Sequence, residues 1–132
     1  MVGEKEPIDL VFDAKFRQLR DDFAENYFQG KGSKTSVGLF ALAIGIRMNK
    51  RVTKDNWSNM KPLSWTDLNR LQAEIGDFNI LFESLELKTD DVNTKTIIDE
   101  FVTGGLQIIE DYQLQEDGNF QELKELIPEL FN

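Results

Sequence analysis

At 132 residues, with 40% hydrophobic residues and ten Phe, the chain has the size and apolar content of one folded domain, 1–132, with its own core. It contains neither Cys nor His, which removes disulfides, thiolate metal sites and the commonest general base and metal ligand. The net charge of −9 argues against a protein that coats nucleic acid or anionic lipid over its whole surface.

Residues 1–7 are charged and polar and read as a flexible N-terminus without the apolar stretch of a secretory signal. No apolar run approaches the ~20 residues that span a bilayer, so a cytoplasmic protein without membrane contact is expected. Phe12, Phe16, Leu19, Phe23 and Tyr27 recur at intervals of four, three, four and four, the stripe of an amphipathic first helix over Asp9 to Tyr27. The alternation in Ile8 to Phe12 leaves a short N-terminal strand as the alternative there. Gln29 to Lys34 is a breaker cluster, and Ser33 or Thr35 can cap a second helix running to about Asn49. That helix carries Val37, Leu39, Phe40, Leu42, Ile44 and Ile46 and is apolar nearly all round, which suits the middle of a bundle or a homodimer interface. Its small residues Gly38, Ala41 and Gly45 suit close approach of a neighbouring backbone.

Arg51 to Leu63 reads as a connection, with a third helix from Ser64 that buries Leu68, Leu71, Ala73 and Ile75. A short fourth helix is expected over Phe78 to Leu85, and a polar loop over Lys88 to Asn93. A fifth runs from Asn93 or Thr94 to about Tyr112, with Gly104-Gly105 as a candidate kink. A last one follows Asn119, with Pro128 bending or ending it. The sum is an all-α, compact bundle of about five to six helices.

Charge is segregated along the chain. Asn26 to Lys54 holds no Asp or Glu but six cations, Lys31, Lys34, Arg47, Lys50, Arg51 and Lys54, so the rest of the chain carries −15. If the second helix continues past Asn49, Arg47, Lys50, Arg51 and Lys54 project from one side. They then face either a nucleic-acid backbone or an acidic protein surface, or else they neutralise the protein's own acidic helices. The Gly30-Lys31-Gly32-Ser33-Lys34-Thr35 loop lacks the strand and the spacing of a phosphate-binding loop. Asp90-Asp91-Val92-Asn93 lacks the ligands and glycine of a calcium loop. Trp57, Trp65 and Phe78 suit packing better than a recognition patch. No catalytic, cofactor or metal residues are assigned.

Three stretches together resemble the DNA phosphorothioation-associated protein 4 family, small proteins of bacterial Dnd-type defence loci. They are Lys34-Thr35 with Leu39 to Gly45 and Lys50-Arg51-Val52; Ala73 to Asp77 with Ile80-Leu81; and Asp99 to Leu106 with Ile108-Ile109. The sequence departs from the family at Thr53 to Trp57, where a proline-containing acidic stretch is expected. The resemblance implies a context, DNA modification, restriction or anti-phage defence in a bacterial cell, and a small accessory protein within it. The charge segregation and the lack of catalytic equipment point to a non-catalytic protein that docks a protein partner from the same locus through an acidic face, the basic Lys31 to Lys54 segment making intramolecular or nucleic-acid contacts. A small DNA-binding protein using the basic 31–54 segment is the alternative, in a ribbon-helix-helix-like arrangement led by the Ile8 to Phe12 strand.

Overall fold

The computed structural model describes residues 8–27, 33–75 and 92–114. The N-terminus 1–7, Gly30 to Gly32, the helices expected over Phe78 to Leu85 and after Asn119, and the Asp90-Asp91 pair lie outside the described residues. In chain order the elements are β1 (Asp9–Phe12), a 3₁₀ turn (Ala14–Phe16), α1 (Arg17–Tyr27), α2 (Ser33–Arg47), a second 3₁₀ turn (Lys54–Asn56), β2 (Leu63–Asp67), α3 (Leu68–Ile75) and α4 (Val92–Leu114). The expectation of an all-α bundle of five to six helices is therefore corrected. The described chain is mainly helical, with four α-helices and a two-stranded antiparallel sheet.

The first helix starts later than its apolar stripe suggests, because Asp13 interrupts it. The Asp13 carboxylate accepts the Lys15 N–H at 3.1 Å and opens the 3₁₀ turn that feeds α1. Upstream, Leu10 and Phe12 are buried while Asp9 is exposed, the alternation of a half-buried strand. β1 pairs with β2, from more than fifty residues away, a contact no local pattern announces.

β2 occupies residues expected to begin the third helix. Leu10 faces Thr66 and Val11 faces Ser64, so Trp65 is the extra residue of a β-bulge. The bulge turns two consecutive side chains, Trp65 and Thr66, into the interior. Trp65 then lies flat against Gly38, where a Cβ would come within 2.2 Å of the indole ring. Helix α3 starts at Leu68 because Asp67, and not Ser64, caps it, accepting the Arg70 N–H at 2.8 Å.

α4 is the axis of the molecule. Every residue from Ile98 to Leu106 is buried. α2 crosses it at the closest approach of two backbones: a Cβ on Gly105 would lie 1.8 Å from the Ala41 carbonyl oxygen, and one on Gly45 would lie 2.2 Å from that of Phe101. Ala41 and Gly45 of the small-residue stripe serve this crossing, Gly38 makes room for Trp65 instead, and α4 runs unbroken through Gly104-Gly105. Phe23 and Phe40 stack with centroids 5.7 Å apart and join α1 to α2. Leu42, Ile44, Ile98, Val102 and Ile109 complete the apolar core between the helices.

Candidate functional site

The site that carries most of the chain's charge chemistry is the segment after α2, lying across α4. Its course begins with the end of α2. Asn49 adopts φ 52°. The Lys50 N–H donates to the Gly45 carbonyl at 2.8 Å, and that of Asn49 to Ile46 at 3.1 Å. These are the paired bonds of a left-handed helix stop, so α2 ends at Arg47. The helical continuation that would align Arg47, Lys50, Arg51 and Lys54 on one side does not occur.

Instead the chain turns onto α4. Gly104 makes room for it, since a Cβ there would lie 2.1 Å from the Lys50 carbonyl oxygen. The Val52 N–H donates to the Glu100 carbonyl at 3.1 Å. The Glu100 carboxylate accepts from Arg51 Nε and Nη2, both at 2.7 Å, and from the Lys54 N–H at 2.8 Å. The Arg51 guanidinium also lies 5.9 Å from the Phe101 ring centroid. Lys54 Nζ reaches Asp99 at 3.1 Å, where Lys95 Nζ sits at 2.5 Å. The other Asp99 oxygen accepts the Val11 N–H of β1 at 2.8 Å. Farther along, Ser58 donates to Asp13 from its N–H at 2.7 Å and its hydroxyl at 2.5 Å, while the Asp13 N–H donates to Thr103 Oγ1 at 3.2 Å.

Lys95, Asp99 and Thr103 thus form an i, i+4, i+8 row along α4. Asp99 and Thr103 satisfy the edge of β1 that β2 leaves unpaired, and they are buried because strand and strap cover them. Burial pushes the Asp99 carboxyl above its ordinary range, against the pull of Lys95, the Val11 N–H and Lys54. For Asp13 burial acts the same way, but the two Ser58 hydrogen bonds, the Lys15 N–H and the Lys15 charge outweigh it and hold the carboxyl below its ordinary value.

The six basic residues singled out in the sequence therefore divide. Arg51 and Lys54 are brought together over α4 and paired with buried carboxylates. Lys34 stands at the other end of α2, about 20 Å from Arg47 at 1.5 Å per helical residue, with Asp21 at 3.7 Å. Arg47 and Lys50 are exposed and have no ion pair among the described residues. Lys31 lies outside the described residues. The residues that organise the site, Asp13, Asp99, Glu100 and Thr103, are ones that charge counting passes over. Their signal is an acidic pair and a threonine set into an otherwise apolar helix, where unpaired polar groups would be costly.

Among the described residues no group of three or more His, Cys, Asp or Glu could hold a metal ion, and no helix is long and apolar enough to cross a membrane. No family model, curated protein or solved structure matches the chain.

Proposed function

We propose that this chain is a non-catalytic accessory protein that binds a protein partner, within a bacterial DNA-phosphorothioation or anti-phage defence system. The observation that carries the binding reading is the division of the basic segment. Arg51 and Lys54 hold the loop on α4, while Arg47, Met48 and Lys50 stand exposed at the left-handed stop of α2. Two cations flanking a methionine suit an acidic protein surface with apolar side chains better than a phosphate backbone alone. The defence context rests on the resemblance of the Lys34 to Ile109 stretches. The non-catalytic reading is supported by a buried carboxylate set in which each member already accepts from several fixed donors.

The test is a pull-down with the full chain from a host that carries an intact locus of this kind. Recovery of a sibling protein by the wild type, and its loss with Arg47→Gln/Lys50→Gln, supports the reading. Recovery of no sibling overturns it.

Direct DNA binding is the second reading, favoured by the same two exposed cations. A ribbon-helix-helix arrangement is disfavoured, because β1 pairs with β2 on one edge and the Val11 N–H on the other edge donates to Asp99. What is left is phosphate contact, which must weaken steeply with salt in a gel-shift titration. A flat response removes it.

A further inference from the structure

The segment from Lys50 to Pro62 contains no buried residue, although it lies against the most buried helix of the molecule. It is held by hydrogen bonds and ion pairs to Asp13, Asp99 and Glu100. It is also knit to itself: the Trp57 indole N–H donates to the Val52 carbonyl at 2.8 Å, the Asn56 N–H to that of Thr53 at 2.8 Å, and the Trp57 N–H to that of Lys54 at 3.1 Å. Lys54 Nζ lies 5.6 Å from the Trp57 ring centroid. The left-handed Asn49 marks one end of this unit, and exposed Asn59 to Pro62 mark the other.

From this we propose that Lys50 to Ser58 is a detachable clasp, which opens from α4 as one unit while the apolar core stays folded and thereby frees Arg51 and Lys54 to join Arg47 and Lys50. Attachment through polar groups makes such opening local. Undocking the clasp returns Glu100 and Arg51 to water, while Asp99 keeps Lys95 and the Val11 N–H and Asp13 keeps the Lys15 N–H. No carboxylate is then stranded without a donor, and the apolar side chains of the clasp, Val52 and Trp57, are only partly buried to begin with. Closed, two of the segment's three cations are tied to buried carboxylates; open, all three are released and, with Arg47, make four within eight residues. The opening itself stands on the contacts alone. Its consequence for binding rests on the functional reading above.

Native-state amide hydrogen exchange on the full chain at pH 7 tests the opening. The amides of Val52, Lys54 and Ser58 should exchange faster than those of Ile98 to Leu106. Their rates should rise at least about ten-fold in Glu100→Gln, the loss of a charge-assisted hydrogen bond, while the core rates hold. Arg51→Gln, at a partly exposed position, gives the same readout should the buried substitution fail to fold. A single common rate for clasp and core amides, in wild type and variant alike, overturns the proposal.

The consequence is read separately with poly-L-glutamate as probe. Glu100→Gln frees Arg51 and should bind it more tightly than Glu110→Gln, which removes the same charge elsewhere on α4. Arg51→Gln should not. Equal binding by the two glutamine variants overturns the link to binding and leaves the exchange result standing.

Discussion

Thr66 and Trp65 show what the bulge costs at the scale of a residue. Both side chains face inward, and among the described residues neither the Thr66 hydroxyl nor the Trp65 indole N–H has a hydrogen-bond partner. A buried hydroxyl without a partner is unfavourable, and valine has the same shape and strand preference. Thr66→Val is therefore expected to raise stability by about 1 kcal/mol, read as a higher urea midpoint at unchanged slope. A lower midpoint would mean that the hydroxyl is doing something the fold does not reveal. Asp99 yields a prediction in pH. Its folded-state pKa lies above the ordinary 3.8, so its contribution to stability is full below that value and is lost as pH rises through the folded pKa. Asn cannot titrate, so the stability of Asp99→Asn relative to wild type should improve between pH 4 and pH 7. Asp13 has the opposite sign: its contribution is present above 3.8 and disappears as pH falls through its lowered folded pKa. Asp13→Asn should accordingly blunt the loss of stability on the acid side. With no His in the chain, no imidazole titration overlays either profile.

At the scale of elements, the crossing of α2 and α4 depends on the absence of a single methyl group. Ala favours a helix by about 1 kcal/mol over Gly, yet a Cβ on Gly105 would sit 1.8 Å from the Ala41 carbonyl oxygen. Backbone against backbone cannot yield as a side chain can. Gly105→Ala should therefore lower stability by about 1–3 kcal/mol net, the range for overpacking, seen as a thermal midpoint several degrees lower. An unchanged midpoint would show that the two helices can separate without penalty. The crossing was legible in the sequence, through Ala41 and Gly45 on an otherwise apolar helix, whereas Gly38 of the same stripe admits Trp65. So were α1, α2 and α4, whose periodicity is long enough to be distinctive. The sheet was less so. Ile8 to Phe12 alternates over too few residues to outweigh a helical stripe that shares Phe12. Leu63 to Asp67 gains strand character from a partner far away in the chain, and its bulge breaks the alternation that would have marked it. The basic segment was legible as charge but not as geometry, because the turn at Asn49 separates residues that helical spacing would align. The carboxylates beneath it went unremarked, since Asp99 and Glu100 differ from exposed acids only in what the fold lays over them.

Over the whole molecule, charge and topology act together. The net charge of −9 is a self-repulsion that dissolved salt screens. The Glu100 and Asp99 carboxylates are buried while their partners Arg51 and Lys54 are partly exposed, so salt screens those pairs only in part. Moderate NaCl at pH 7 should therefore raise the urea midpoint, and a fall would show that the clasp's ion pairs outweigh the general repulsion.

The bond from the Val11 N–H to Asp99 joins residues 88 positions apart, and that from Asp13 to Thr103 joins residues 90 apart. A nascent chain leaving the ribosome in order would present its first strand, its first two helices and the loop between strand and helix long before the helix that seats them exists. At a synthesis rate of roughly 5–20 residues per second, that interval lasts several seconds, with the apolar side of α2 uncovered throughout. The last described helix is thus the step that turns a collection of waiting segments into a protein.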